Sequence, residues 1–285
     1  MALTGYTLVF GGGSGISRAT CMTFAKNGIP GLMVADINLE SATKVANESK
    51  AVATHPNFRA EAVQVDVAVP DSVKRATEAT VRAFRRIDYC VNGAGIVGEV
   101  AEATDYNNDE FQRVMDVNVR GIFLALKTVS AVMASQEPFP IDPENPARGI
   151  SRGAIVNIGS VASFMAIPQS IGYITSKHAV LGLTRTAALD NLKHNIRVNC
   201  VCPSWVDTPM IEQLLTKVPS FKEMIRAQLP MGRMALPEEI ADVIAFLCSS
   251  KASWVNGSNF TVDGAMTLCP SSPIPPEVSA GSILQ

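Results

Sequence analysis

The sequence predicts an α/β protein, with a doubly wound parallel sheet covered by helices on both faces. Short apolar runs alternate with amphipathic runs of helical length through the first third of the chain, a pattern typical of parallel sheets. A glycine-rich turn joins the first apolar run to the first helical run. The 285 residues are 47% hydrophobic, which is enough to bury a large core. No shift in composition marks a second domain, so we expect a single domain over residues 1–268 and an irregular tail over 269–285.

The elements follow one another in a regular order. The strands expected in the first third are Tyr6–Phe10, Gly31–Ala35, Ala60–Val65 and Ile87–Val91. The helices expected between them are Gly15–Asn27, Leu39–Ala53 and Asp71–Arg86. Later helices are predicted over about 109–135, 173–195 and 237–249, and later strands over about 154–158, 196–200 and 259–262. The proline-rich stretch 137–152 cannot be a helix or a central strand, so we interpret it as a surface loop or an oligomer contact.

Charge and cysteine usage exclude several classes of protein. The formal net charge is −2 and no basic stripe or charged block occurs, so we expect no nucleic-acid partner. The first strand begins at Tyr6, which leaves no room for a secretion signal, and no apolar run approaches the ~18 residues of a membrane span. The six cysteines lack the spacing of a metal site. We therefore expect reduced thiols, no metal and a cytoplasmic location.

The first strand-to-helix turn has the composition of a phosphate-binding loop. It contains Gly11, Gly13, Ser14, Gly15 and Ile16. Glycines let the backbone turn tightly and approach a pyrophosphate, whose charge is stabilised at the N-terminus of the helix. An ordinary flexible glycine loop is the alternative, but the position between a first strand and a first helix favours a dinucleotide site.

An acidic residue lies where such a site recognises the adenosine ribose. Asp36 follows the second predicted strand, 21 residues after Gly15. A carboxylate there accepts hydrogen bonds from the ribose diol and repels a 2′-phosphate. No arginine or lysine flanks Asp36 or replaces Ser14 to neutralise such a phosphate. The sequence therefore predicts NAD(H) rather than NADP(H) as the cofactor.

Further cofactor contacts are expected at the ends of the third and fourth strands. Asp66 and Val67 follow the third strand, and Asn92, Ala94 and Gly95 follow the fourth. Ligands of open α/β sheets bind at the carboxyl ends of the strands. The small residues 93–95 would let the backbone approach an adenine or a ribose, although an ordinary glycine turn would have the same composition.

A tyrosine and a lysine four residues apart form the candidate catalytic pair. Tyr173 and Lys177 occur near the start of a predicted helix, and residues four apart share one helix face. A cation beside a phenol stabilises the phenolate, which suits the tyrosine to act as an acid or a base. Ser160 ends an apolar run 13 residues upstream and could place a hydroxyl beside the phenol. Asn118 lies between apolar neighbours in an earlier predicted helix and is a further candidate for the site. The alternative interpretation is an ordinary surface asparagine.

An apolar segment over 209–236 is a candidate lid over an apolar substrate. Its apolar spacing fits an amphipathic helix pair, and a core helix pair is an equally good interpretation. We select four residues as candidate substrate contacts: Phe164, Trp205, Met210 and Leu214.

Taken together, these motifs resemble the short-chain dehydrogenase/reductase family over nearly the whole chain, from about Leu3 to Met266. Six signatures occur in the family's order: the glycine turn, Asp36, Asp66-Val67, the Asn-x-Ala-Gly sequence, the Asn118 segment, and Ser160 with Tyr173-x-x-x-Lys177. The general style of the sequence also resembles fungal members that act in secondary metabolism. The resemblance implies a Rossmann-type sheet of about seven strands and a homo-oligomer, either a tetramer or a dimer.

The resemblance also implies a role for each matched residue. Tyr173 would exchange a proton with the substrate oxygen, and Lys177 would stabilise the phenolate and hold the nicotinamide ribose. Ser160 would orient the carbonyl or alcohol, and Asn118 would anchor a water in a proton relay. The segment with Pro203, Val206 and Thr208 would contact the nicotinamide.

Three positions depart from the family pattern. Phe10 replaces the threonine that usually precedes the first glycine, Ser17 replaces the third glycine of the motif, and Ser204 replaces the glycine of a Pro-Gly pair. These changes bear on cofactor affinity more than on the catalytic residues, which are all present.

We therefore expect an NAD(H)-dependent oxidoreductase that interconverts a secondary alcohol and a ketone on a bulky apolar substrate, such as a terpenoid, a polycyclic compound or a steroid-like alcohol. Two alternatives remain open from the sequence. One is non-redox proton transfer on the same fold, such as dehydration or cyclisation. The other is a cofactor-binding regulator without turnover.

Overall fold

A seven-stranded parallel sheet forms the centre of the protein, in a computed structural model that describes residues 3–217 and 221–268. The strands are β1 (Thr7–Phe10), β2 (Gly31–Asp36), β3 (Arg59–Gln64), β4 (Tyr89–Asn92), β7 (Gly153–Ile158), β8 (Ile196–Pro203) and β9 (Asn259–Val262), in the spatial order β3-β2-β1-β4-β7-β8-β9. Two shorter strands, β5 (Phe139–Pro140) and β6 (Ile150–Ser151), form a separate antiparallel pair. The predicted Rossmann-type sheet of about seven strands is confirmed. The predicted tail, 269–285, lies outside the described residues.

The helices cover both faces of this sheet, as expected for a doubly wound fold. They are α1 (Gly15–Lys26), α2 (Leu39–Val52), α3 (Pro70–Phe84), α4 (Asn108–Met115), α5 (Gly121–Ser135), α6 (Ile171–Asp190), α7 (Pro209–Lys217), α8 (Phe221–Gln228) and α9 (Pro237–Cys248). Helices α1, α2 and α9 pack on one face through Phe24, Val45 and Ile244. Helices α3, α5 and α6 pack on the other face through Val73, Ile122 and Val180.

The strand order determines where a ligand can bind. Every residue of β1, β4 and β7 is buried, because helices cover both faces of these central strands. The chain runs outward from β1 to β2 and β3, and then returns to place β4 on the other side of β1. In open α/β sheets the crevice lies at this reversal, outside the carboxyl ends of the strands.

One helical run, from α4 to α5, is interrupted by a single π-helical turn over Asp116–Arg120. The sequence predicted an unbroken helix here. A π turn inserts an extra residue into the helix, and such turns are frequent at functional sites. The whole run, 108–135, is long and apolar enough to cross a membrane by length and composition, but the buried apolar residues of α5 pack against the sheet as in a core helix.

The proline-rich stretch 137–152 contains the β5–β6 pair and one short 3-10 turn, and it lies outside the central sheet as predicted. Its residue Arg148 donates hydrogen bonds to the carbonyl of Ser250 and to Oγ of Ser253, which attach the stretch to the segment just after α9.

The segment 209–236, for which a lid or a core helix pair was expected, contains the two helices α7 and α8. Ile225 of α8 and Leu229, just past its end, form a small apolar cluster with Val161 and Met266.

Candidate active site

A cleft of about 420 Å³ opens at the carboxyl ends of β1 and β4, where the strand order reverses. Most of the residues predicted to bind cofactor or to act in catalysis line this one cleft: Gly11, Ser14, Gly15, Ile16, Asp36, Asp66, Val67, Ala94, Gly95, Ser160, Tyr173, Lys177, Pro203, Val206 and Thr208. They come from seven separate segments of the chain. The fold therefore brings the predicted phosphate, ribose and catalytic groups together.

The glycine turn is built for the close approach of a ligand. Gly11 adopts φ +71°, and a Cβ there would lie 2.6 Å from the backbone nitrogen of Ala94, so only glycine fits without movement. Gly15 begins α1 with φ +54°. The side chain of Ser14 forms no capping hydrogen bond, and the first turn of α1 holds no acidic residue. The N–H groups and the positive end of the helix dipole are thus available to an anionic phosphate.

The carboxylate of Asp36 holds the turn and faces the cleft. Its Oδ2 accepts a hydrogen bond from the Gly13 N–H at 2.9 Å, and its Oδ1 accepts one from the Asn38 N–H at 2.9 Å. Gly13 does not line the cleft itself, because it packs behind the turn against Asp36 and Ser41. Each carboxylate oxygen keeps a lone pair, so Asp36 can accept further hydrogen bonds from a ribose diol.

Ser17 is accommodated by a glycine on a neighbouring strand end. The Ser17 side chain is 2% exposed, and its Oγ occupies the space that a Cβ on Gly93 would need. The missing glycine of α1 is thus offset by a glycine after β4. The other two departures are also absorbed: Phe10 packs in the core, and Ser204 adopts no positive φ and donates its hydroxyl to the carbonyl of Asp263 at 3.3 Å.

Tyr173 and Lys177 lie one turn apart near the start of α6, as the spacing predicted. The Nζ of Lys177 is 5.6 Å from the centroid of the Tyr173 ring and donates a hydrogen bond to the carbonyl of Ile158 at 2.9 Å. Lys177 is only 7% exposed, so its charge is held in place by the protein. Ser160 lies just past the end of β7, and its Oγ accepts a hydrogen bond from the Ala162 N–H at 3.1 Å.

Asn118 lies in the π turn and is completely buried. Its Oδ1 accepts from the Ile96 N–H at 2.8 Å, and its Nδ2 donates to the carbonyl of Ile96 at 2.8 Å and to Oγ of Ser176 at 3.0 Å. Both donors of the amide are therefore occupied by the protein. A Cβ on Gly95 would lie 3.3 Å from the Asn118 Oδ1 and 3.9 Å from the Lys177 Nζ, so Asn118 packs beside the catalytic pair.

Asn92 does not line the cleft. Its side chain is buried within the sheet, where Nδ2 donates to Oδ1 of Asn157 at 2.8 Å. Asn157 in turn donates to Oγ1 of Thr184 on α6 at 2.9 Å. This amide network connects β4 and β7 to the helix that carries Tyr173, so the Asn92 side chain stabilises the frame of the site.

The four predicted substrate contacts are placed differently from one another. Met210 lines the cleft and is 39% exposed. Phe164 is exposed outside the cleft, and Leu214 is half-buried on α7 without lining it. The Trp205 indole donates to Oε1 of Gln228 at 3.2 Å and packs on the apolar cluster beneath α8.

Sequence reasoning missed several lining residues, namely Ile37, Val65, Ile96, Arg113, Val117, Ile158, Gly159, Pro209 and Ile211. Arg113 is the least expected of these, because it is charged and belongs to no motif. Its guanidinium forms two hydrogen bonds with the Glu110 carboxylate, at 2.8 and 2.6 Å, and this pairing lowers the pKa of Glu110. The four-residue spacing from Arg113 to Val117 on a helix was the available signal.

Near Ser160, two thiols of β8, which are two residues apart, lie on the same side of the strand. The Sγ atoms of Cys200 and Cys202 are 3.6 Å apart and pack against Gly159. The hydrogen bond to Cys202, together with burial, raises the pKa of Cys200. The five cysteines of the described part of the chain are free thiols.

The chain is similar to several known proteins over most of its length. A family model described as enoyl-(acyl carrier protein) reductase matches residues 11–267. A short-chain dehydrogenase, fogB, of Aspergillus ruber is 51% identical over 94% of this chain and 98% of its own. A cyclohexanol dehydrogenase of an Acinetobacter species is 37% identical over 91% of this chain and 94% of its own. The structure of an NAD+-bound xylitol dehydrogenase superposes with a TM-score of 0.79 at 29% identity, covering 90% of this chain and 96% of that one.

The fold and the site thus define a Rossmann-type oxidoreductase that binds a nicotinamide cofactor and acts on a small molecule. The chain belongs to the short-chain dehydrogenase/reductase family.

Proposed function

We propose that the protein is an NAD(H)-dependent oxidoreductase that interconverts a secondary alcohol and a ketone on a bulky apolar substrate, with Tyr173 as the general acid and base. The observation that carries this proposal is the presence of Ser160, Tyr173 and Lys177 in the same cleft as the glycine turn. A nicotinamide cofactor, when bound, accepts or gives the hydride, and the protein supplies placement and proton transfer.

Each catalytic residue has a distinct role in this proposal. The Tyr173 hydroxyl takes the proton from an alcohol or gives it to a ketone oxygen. The Lys177 Nζ, 5.6 Å from the centroid of the Tyr173 ring, supplies a positive charge beside the phenol during this exchange. The Ser160 hydroxyl can donate a hydrogen bond to the substrate oxygen, because in the structure it only accepts one, from the Ala162 N–H. The Asn118 side chain is fully engaged as a donor, so a water relay at this residue would use its main chain.

The charges around the cleft support NAD(H) over NADP(H). Asp36 would place a carboxylate beside a 2′-phosphate. Among the residues that line the cleft in the described part of the chain, the only cations are Lys177 and Arg113. Lys177 is bonded to Ile158, and Arg113 is already paired with Glu110. Beyond these two bonded side chains, no arginine or lysine among the described residues of the cleft lining is therefore available to neutralise a 2′-phosphate.

The apolar side chains at the cleft support an apolar substrate. Ile96, Met210 and Ile211 line the cleft, and two further apolar side chains are exposed: Phe164 (45%), in the segment before the catalytic helix, and Ile171 (42%), its first residue. Exposed apolar groups near a cleft are typical of a site for an apolar ligand. The similarity to a fungal short-chain dehydrogenase and to a cyclohexanol dehydrogenase supports a cyclic secondary alcohol, and a role in fungal secondary metabolism.

Calorimetric titration with NADH and NADPH tests the cofactor. We expect NADH to bind at least about tenfold more tightly, which corresponds to about 1.4 kcal/mol. Asp36→Ala should weaken NADH and remove this preference, since the ribose contact and the Gly13 hydrogen bond are both lost. Equal or tighter binding of NADPH by the wild-type protein would refute the choice of NAD(H).

Turnover of cyclohexanol with NAD+, followed by NADH absorbance, tests the chemistry. Tyr173→Phe removes only the hydroxyl, and we expect it to lower kcat by at least about 100-fold while NADH still binds. A Phe variant that retains wild-type turnover would exclude Tyr173 as the acid and base. Product formation from a substrate without any change in NADH absorbance would instead indicate non-redox proton transfer.

Location and assembly are part of the same proposal. The free thiols favour a reducing, cytoplasmic compartment.

The proposed homo-oligomer would use the outer faces of α5 and α6. Phe123 on α5 is 48% exposed and Leu189 on α6 is 69% exposed, and these two apolar side chains would lie in the contact. Sedimentation of the wild-type protein and of Phe123→Glu tests this contact, and we expect the charged variant to dissociate.

A further inference from the structure

We propose that Ser176 is a positioning residue for catalysis, because it connects the loop after β4 to the helical turn that carries Tyr173. Ser176 is completely buried and lies between the Asn118 side chain and the backbone of Tyr173. The inference rests on the proposed function, since it concerns how the acid and base is held. It assigns to the serine a role apart from substrate contact.

The hydrogen bonds around Ser176 have a fixed direction. The Asn118 Nδ2 donates to the Ser176 Oγ at 3.0 Å. An amide nitrogen cannot accept, so the serine proton must point away from it. The Ser176 hydroxyl accordingly donates to the carbonyl of Tyr173 at 2.7 Å. One chain of hydrogen bonds therefore runs from Asn118 through Ser176 to the main chain of the catalytic tyrosine.

The other end of this chain lies at the cofactor side of the cleft. Ile96 lines the cleft and is bonded to Asn118 through both its N–H and its carbonyl, each at 2.8 Å. The loop position of Ile96 and the helix position of Tyr173 are thus fixed relative to each other through two buried side chains. Small misplacements of reacting groups lower catalytic rates strongly.

Tyr173 depends on this support more than Lys177 does. Lys177 has its own anchor, the hydrogen bond from Nζ to Ile158. Within residues 3–217 and 221–268, the phenol of Tyr173 forms no hydrogen bond, so its position is determined by its backbone and by packing. The hydrogen bond from Ser176 acts on that backbone directly.

A serine that bonds to a carbonyl of its own helix is common and need not be functional. Ser49 on α2 provides the matched case: it is also completely buried, and its Oγ donates to the carbonyl of Val45 at 2.8 Å. Ser49 lies away from the cleft and receives no hydrogen bond from another element of the described chain. Ser176 differs from Ser49 because its Oγ also accepts a hydrogen bond from the Asn118 side-chain amide. The experiment isolates the effect of this contact.

The experiment compares the wild-type protein, Ser176→Ala and Ser49→Ala. Cyclohexanol and NAD+ are the kinetic probes, with cyclohexanol deuterated at the carbinol carbon for the isotope effect. Backbone hydrogen exchange measures the opening of the segment that contains Ile96, and NADH titration measures cofactor binding. We expect Ser176→Ala to lower kcat by about tenfold or more, with the NADH Kd changed by less than about twofold and a larger primary isotope effect. Exchange at Ile96 should become faster in Ser176→Ala alone.

The outcomes separate this inference from the proposed function. If Ser176→Ala matches Ser49→Ala in kcat and isotope effect, the inference is overturned even when exchange at Ile96 is faster. A loss of kcat that matches the loss of NADH-binding sites in the titration would mean that less folded enzyme is present, which also overturns it. If the wild-type protein transfers no hydride from the probe, the proposed function fails with that probe, and exchange at Ile96 alone decides whether Ser176 holds the loop.

Discussion

The contact between Ser17 and Gly93 allows a quantitative test of how this chain tolerates a serine inside its glycine motif. A Cβ at Gly93 would overlap the Ser17 Oγ and would lie 2.9 Å from Cδ1 of Ile158. Overpacking of this kind costs about 1–3 kcal/mol, so we expect Gly93→Ala to lower the free energy of unfolding by about 2 kcal/mol. Ser17 and Gly93 both line the cleft, and NADH affinity should fall as well.

The second half of the test removes the overlapping atom. Ser17→Ala deletes only the hydroxyl, and alanine has the higher helix propensity, so this variant alone should be neutral or more stable by about 0.5 kcal/mol. In the double variant, the remaining close contact is the flexible end of Ile158, 2.9 Å away. We therefore expect a favourable coupling energy of about 1 kcal/mol between the two substitutions.

Urea unfolding of the four proteins in this cycle measures the coupling. The slope of unfolding should be the same in all four, so that the midpoints report stability. If the effects of the two substitutions add to within about 0.5 kcal/mol, the Ser17 hydroxyl is not what excludes a side chain at Gly93, and the reasoning is refuted.

Three further predictions concern stability. Hydrogen bonds from Arg233 and from the Leu236 N–H lower the pKa of Glu239 to about 2. The stabilisation by the Glu239 carboxylate is therefore fully present above the usual pKa of glutamate and is lost as the pH falls through about 2. Glu239→Gln should remove this pH dependence of stability. Acid titration of thermal stability checks this, and identical acid limbs in both proteins would contradict it. Thr7→Val should raise the free energy of unfolding by about 1 kcal/mol, because the buried Thr7 Oγ1 has no hydrogen-bond partner in the described part of the chain. Asn38→Ala should lower it by about 1 kcal/mol, because the Asn38 side chain caps α2 by accepting from the Ser41 N–H at 3.0 Å; an unchanged urea midpoint would show that the cap contributes nothing.

The sequence determined the fold because the relevant signals are local. Buried parallel strands require continuous apolar runs, and helices on the sheet require amphipathic periodicity, and both can be read within ten to twenty residues. The glycine turn, Asp36 and the Tyr173–Lys177 pair were found for the same reason. Each is a short pattern whose geometry follows from a strand end or from one turn of a helix.

Only the tertiary structure decided which residues meet across these elements. Arg113 lines the cleft although no motif contains it, and its spacing from Val117 indicates only that the two residues share a helix face. Asn92 follows a strand end, as cofactor ligands do, yet its side chain is directed into the sheet by its hydrogen bond with Asn157, 65 positions away. The Ser17 departure is offset by Gly93, and the link from Ser176 to Asn118 spans 58 positions. Such contacts depend on the packing of distant segments against one another, and local propensity and spacing do not encode them.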